Sequence, residues 1–168
     1  MKTSLWPPRT RDGSRLVHAY TDLLDWRLVA GSHSLSADEA AYLLSTDSHA
    51  VVETLCEKFD AVTVSGAVGR DALMWLDREG ANVPLIPSFQ DGSSVTFLVQ
   101  PGTARHLQGL DAVTVVSGPD GRVALPPTPG VRWDTPPWHA RTPARIELAD
   151  AQGLRPGLER ALHLHGRS

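Results

Sequence analysis

DGRVALPPTPGVRW, residues 120–133, opens with an Asp-Gly turn signal, runs briefly as a strand, and stops at two adjacent prolines. Pro126 and Pro127 have no amide hydrogen to offer a neighbouring strand, so a sheet ladder ends there and the chain must leave at an edge or rim. Gly130 then turns the chain into Val131, Arg132 and Trp133. Two readings of this corner stand side by side. It is a packed joint closing a small sheet, or it is the rim of a binding site, because connections at sheet rims carry binding residues disproportionately.

Working outward, the segments before this corner alternate between strand and helix grammar. FDAVTVS (59–65) is rich in β-formers, GAVGRDALMWLDREG (66–80) predicts a turn and a helix ending at Gly80, and VPLIPSF (83–89) predicts another strand, together a βαβ-like unit. QDGSS (90–94) gives a turn into VTFLV (95–99), PGTARHLQGL predicts a short helix, and DAVTVVSG (111–118) a strand. Asp120-Gly121 is read as a second hairpin turn. Upstream, residues 1–13 form an extended arm, and Leu16, Val17, Tyr20, Leu23, Leu24 and Leu28 fall at helical spacing over 14–29. Ser36-Ala37-Asp38-Glu39 has the form of a capping box that starts a helix. Asp47 or Ser48 is placed to cap a third helix through Val51, Val52, Leu55 and Phe59. RPGLERALHLHG (155–166) closes the chain as a helix. The expected fold is α+β, a small mixed sheet with flanking helices, in one domain over 14–168 with its core in 59–138.

Composition limits the function classes. A chain of 168 residues can withdraw roughly 70% of its unfolded surface from water and hold a single core. Its one cysteine, Cys56, permits no internal disulfide and suits a reducing compartment, and the N-terminal stretch has no leader-like apolar run, so a cytoplasmic location without a membrane partner is expected. Residues 1–29 carry five Lys/Arg against three acids, residues 30–129 five against twelve, and residues 130–168 six against four. The acidic middle gives no basic stripe of the kind that long nucleic-acid contacts need, so such binding would rest on local arginines.

Few residues carry obvious chemistry. None of the seven histidines has a partner at metal-ligand spacing; His163 and His165 form H-x-H, which on a helix points them roughly 200° apart. Cys56 reads as a small packed hydrophobe, and Trp26 and Trp75 as packing residues. SGAVGR (65–70) lies between a strand and a helix, where free amides could cradle a phosphate with Arg70 adding charge, or where it is simply a tight turn.

The order of a strand with a Gly turn and helix, an S/D-G hairpin into an aromatic-bearing strand, and a strand ending in VALPPT followed by VRW resembles the bifunctional primase-polymerase domain of the archaeo-eukaryotic primase superfamily. It is similar in particular to short degenerate actinobacterial members. The resemblance covers about residues 59–138. It implies an acidic pair on the first strand, a histidine after the hairpin and a later aspartate, which together hold divalent metal and a triphosphate. Here Thr63 and Ser65 fall where the acidic pair belongs, Val95 or Thr96 near the histidine, and Thr114 near the last aspartate.

The expectation is therefore a pseudoenzyme with no catalytic residues and no cofactor, acting as a binding module for a nucleotide, single-stranded DNA or a protein partner. Its ligand residues would be Arg122, Arg132 and Trp133 at the rim, with Arg70 and Arg105 as additions. Two alternatives remain open. Asp60, Asp91 and Asp111 could serve as displaced ligands for Mg or Mn in an active primase, polymerase or nucleotide hydrolase. Otherwise the chain is an adaptor or homo-oligomer, marked by an exposed apolar patch beside the acidic segment 36–58.

Overall fold

ETLCEKFDAVTVS, 53–65, is the axis of the fold, and it is one long strand (β3, Glu53–Ser65) in which Thr54 and Cys56 alternate inward before a bulge at Glu57 and Lys58. The computed structural model describes residues 6–9, 12–80 and 85–166. The expected third helix over 47–59 is thus corrected. Its helical spacing of Val52, Leu55 and Phe59 arises because the bulge resets a two-residue alternation, and the ladders on both sides of β3 settle the choice.

The chain order is α1 (Gly13–His18), a π-helical turn (Ala19–Leu23), the hairpin β1 (Leu28–Ala30) and β2 (His33–Leu35), α2 (Ala37–Thr46), β3, and α3 (Gly66–Glu79). After these come β4 (Ser88–Gln90), β5 (Ser94–Val99), a 3-10 turn (Thr103–Leu107), β6 (Thr114–Ala124), β7 (Arg132–Thr135) and α4 (Arg155–Leu164). The single helix expected over 14–29 is cut short: Asp25 takes a positive φ and Leu28 already belongs to β1. Residues 83 and 84 of the expected strand 83–89, and residues 1–5, 10 and 11 of the arm, lie outside the described residues. The arm's Trp6 packs edge-on against Trp138 with ring centroids 5.8 Å apart.

The α+β class holds. The strands run in the order β2-β1-β3-β5-β4-β7 with β6 on the other edge of β3, and every pairing is antiparallel rather than mixed. The βαβ-like unit is correspondingly split: β5 lies between β3 and β4, which therefore run parallel without touching. The second hairpin turn expected at Asp120-Gly121 is instead a bulge within β6, between the Cys56–Gly118 and Leu55–Arg122 pairs. A side chain at Gly121 would sit 2.7 Å from the Ser117 carbonyl, so only glycine lets the strand fold over itself there.

Each face of the sheet has its own core. Ala61, Leu98 and Phe89 face Leu16, Val17, Tyr20 and Trp26, whereas Val62, Val64, Val95 and Phe97 face α3 and α4. The helix starts were legible locally: Ser36 and Glu39 exchange both capping-box bonds, and Ser65 caps α3 through the Val68 amide. α3 reaches the sheet at Gly69, where an added Cβ would meet the Val95 Cβ at 2.4 Å. α4 is clipped to α3 by His165 and Asp71, 2.5 Å apart, and by the Trp75 ring lying over Gly157.

Two outcomes follow from this packing. Gly69→Ala should lower the unfolding free energy by about 1–3 kcal/mol through overpacking against a central strand, read from urea denaturation. His18 joins α1 to α2 through Asp38 at 3.0 Å, and its hydrogen bond to the Ser14 carbonyl, helped by Asp38, raises its pKa above the ordinary 6.5. A raised folded pKa gives stabilisation that is complete below pH 6.5 and lost as pH rises through the folded value. The stability gap between wild type and His18→Gln should therefore be larger at acid than at alkaline pH, and a gap that grows with pH would contradict the assignment.

Candidate functional site

The double-proline corner is built around one hydroxyl. Tyr20, fully buried, donates to the Pro126 carbonyl at 2.6 Å and accepts from the Trp133 indole N–H at 2.9 Å. Burial pushes the phenol pKa well above its ordinary value, the Trp133 bond opposing only in part, so the hydroxyl stays protonated and able to donate. Around it Trp26, Trp133 and Trp138 lie with centroids 5.8, 6.3 and 6.1 Å from the Tyr20 ring. Thr128, just past the prolines, receives the Val52 amide on its hydroxyl at 3.1 Å, and the Leu125 amide donates to the Val52 carbonyl at 2.9 Å. The corner is a packed joint, and Trp133 is half-buried within it.

The sheet register produces a second feature that the sequence does not announce. Thr63 is the direct partner of Thr114 on β6 and of Thr96 on β5; Thr96 is the partner of Phe89 on β4, and Phe89 of Trp133 on β7. Direct partners share a face, so Thr114, Thr63, Thr96, Phe89 and Trp133 form one row across five strands. The Thr63 and Thr96 hydroxyls are 2.8 Å apart and hydrogen-bonded. Of the positions to which the resemblance assigns ligands, Thr63, Thr96 and Thr114 are thus adjacent, whereas Ser65 caps α3 and Val95 packs on the other face. Neutral hydroxyls donate and accept hydrogen bonds but supply none of the negative charge that a divalent cation needs in place of water.

The alternative carboxylates do not meet. Asp60 is opposite Val99, whereas Asp91 receives the amides and hydroxyls of Ser93 and Ser94 beyond the far end of the same ladder, five residues or roughly 17 Å away. Asp60 is buried and takes the Ala104 amide at 3.1 Å, capping the 3-10 turn. Desolvation acts against ionisation of Asp91, but its four hydrogen bonds hold its carboxyl below the usual range. Asp111 lies exposed in the turn before β6. Among the described residues no three His, Cys, Asp or Glu side chains are grouped to hold a metal. Cys56 is buried, and its thiol is pushed up to about 11 by burial and then by Asp60.

The five predicted ligand residues are divided. Arg122 donates to the Gly31 carbonyl and lies 3.8 Å from Glu53, tying β6 to the β1–β2 turn. Arg105 donates back to the Gly102 carbonyl at 3.2 Å in the 3-10 turn after β5. Arg70 lines a groove, and Arg132 lies next to one of its residues. A groove of about 520 Å³ runs between α3 and the face of β4 and β7, lined by Arg70, Leu73, Met74, Leu85, Gln90 and Asp134 among others. Arg132 is the direct partner of Gln90 and shares its face. Met74 and Leu85 are 59% and 56% exposed, and Gln90 donates to Asp134 at 3.2 Å. The SGAVGR turn offers no open phosphate cradle, because the Gly66 amide is bonded to the Ser93 carbonyl and the Val68 amide to the Ser65 hydroxyl. The groove escaped the sequence reading because it depends on the β4–β7 register, which brings residues 42 apart in sequence side by side.

Comparison of the chain with known protein families, curated proteins and solved structures finds no match. Tyr20→Phe removes the hydroxyl and leaves the Pro126 carbonyl and Trp133 N–H without their partner, so it should cost about 1–3 kcal/mol in denaturant unfolding. Its near-neutrality would show that the corner does not depend on this bond.

Proposed function

We propose that the chain is a catalytically silent, primase-polymerase-like module that binds a nucleotide or the end of a single-stranded nucleic acid. The observation that carries this reading is the row Thr114–Thr63–Thr96, three neutral side chains in register that fall among the positions where the resemblance calls for metal and phosphate ligands, with neutral Ser65 and Val95 at the others. A scaffold kept while its charged ligands are replaced by hydroxyls keeps a shape but not a two-metal chemistry.

The ligand surface is the groove beside α3. Its volume lies in the range of small-molecule sites, its walls are chiefly Leu73, Met74 and Leu85, Arg70 lines it, and Arg132 is the cross-strand neighbour of its Gln90. An apolar wall accommodates the face of a base, Arg70 and Arg132 take phosphate oxygens bidentately, and Gln90 and Asp134 can hydrogen-bond base or sugar groups. Asp77 and Asp134 keep the groove from being uniformly positive, which suits a short ligand with one charged end. Trp133 has its N–H on Tyr20 and its ring in the core, so the stacking surface belongs to Met74 and Leu85 and not to the indole.

Titration with a fluorescent deoxynucleoside triphosphate and with labelled oligo(dT) at two salt concentrations tests the reading. Saturable binding is expected that weakens with salt by roughly 0.7 log units per log unit of salt for each phosphate contact. Arg70→Ala combined with Arg132→Ala should weaken it about tenfold or more, as expected for the loss of charge-assisted hydrogen bonds, and a primer-extension assay with Mg or Mn should yield no product. Incorporated nucleotide, or no binding at low salt, would overturn the proposal.

A further inference from the structure

The opposite end of the sheet carries a second groove that shares no residue with the first. It measures about 680 Å³ and lies between β2 and α2, lined by His33, Leu35, Asp38, Glu39, Tyr42 and Leu43 among others, with no Lys or Arg. β2 is the terminal strand on that side, so its outer edge has no partner among the described strands. Register sharpens this. The two-residue turn Gly31-Ser32 closes on the Ala30–His33 pair, and pairs in an antiparallel ladder alternate between bonded and unbonded, so the Ser34 amide and carbonyl face away from β1.

α2 is lightly held. Of its ten residues only Ala40 is fully buried, whereas Tyr42 is 71% exposed and its hydroxyl has no hydrogen bond among the described residues. Beside that ring lie Asp38, which meets His18 through one oxygen while its side chain stays 93% exposed, and Glu39, whose carboxyl is held below the usual range by the Ser36 amide. An exposed strand edge, a half-apolar trough of Leu35 and Leu43, an aromatic face and two carboxyl groups make one surface. Strand edges bind extended peptides through main-chain bonds, and side chains that alternate into a trough give the selectivity. Arginine stacks on tyrosine and pairs with carboxylates in the same geometry.

We infer that this β2–α2 groove docks an extended, arginine-bearing peptide segment of another protein. The peptide backbone pairs with Ser34, an apolar side chain enters between Leu35 and Leu43, and an arginine lies over Tyr42 within reach of Asp38 and Glu39. The charge of the groove selects the occupant: an acidic or phosphorylated segment would face like charge. This docking is independent of the Arg70 groove.

The test is a calorimetric titration of the full chain with a 12-residue synthetic peptide of alternating arginine and valine, and with the same peptide carrying glutamate for arginine. Saturable binding of the arginine peptide alone is expected, with the Ser34 amide among the most shifted in a 15N spectrum. Asp38→Asn with Glu39→Gln should weaken binding about tenfold, as expected for losing bonds to charged groups; the glutamine keeps the capping box, so helicity checks the fold. Tyr42→Ala should weaken it comparably. Oligo(dT) binding should be unchanged in both variants, which separates failure here from failure of the nucleotide reading. Equal binding of both peptides, no loss in the variants, or a concentration-dependent dimer that Tyr42→Ala abolishes would overturn the inference, the last by making a second copy the occupant.

Discussion

The Tyr20 hydroxyl, donating to the Pro126 carbonyl while receiving the Trp133 N–H, is the contact on which the sheet's closure depends. It ties the π-helical turn after α1 to the end of β6 and to β7, which lie 106 and 113 residues further along the chain. Prolines cannot continue a ladder, so the corner has to be held from outside the ladder, and a buried phenol does this at one point. The magnitudes decide what Trp133 can do. Swinging its ring out to stack on a base would gain about 1–3 kcal/mol. It would leave a buried hydrogen bond unmade at about 1–3 kcal/mol and forfeit aromatic contacts worth about 0.5–1.5 kcal/mol each. The ring has three such neighbours besides Tyr20, in Trp26, Phe89 and Trp138. The indole is framework.

With the corner fixed, β7 lies against β4 and the two ends of the sheet acquire different characters. At the β7 end, Arg70 from α3 lines an apolar groove whose Gln90 has Arg132 as its cross-strand neighbour. At the β2 end, the capping box that starts α2 places two carboxylates beside an exposed tyrosine. Between them the threonine row crosses the centre of the sheet without a charge. Under the proposed reading, recognition has moved to the rims while the centre has become inert, and the near neutrality of the whole chain conceals two oppositely disposed surfaces.

Much of this was legible from residues alone. Ser36 and Glu39 announced α2, Gly80 marked the end of α3, and the double proline marked the end of β6, because each is set by local backbone chemistry. What failed was non-local. The β1–β2 hairpin was missed because Leu28 continued a helical spacing that the positive φ of Asp25 interrupts. β3 was begun six residues late because its bulge imitates a helical period, and Gly121 suggested a hairpin where its missing Cβ serves a bulge. Of the predicted site residues, cross-strand register puts Arg132 beside Gln90 of the groove that Arg70 lines, whereas Arg122 and Arg105 are held by nearby carbonyls that no spacing rule reveals.

Hydrogen exchange at the Trp133 indole N–H, followed by NMR with and without saturating nucleotide, tests the central claim that the corner is structural. The account predicts exchange as slow as the most protected amides of β3 and β5, and an indole resonance that nucleotide leaves in place. Exchange at a rate far above those amides, or a large shift of the indole signal on nucleotide addition, would contradict it.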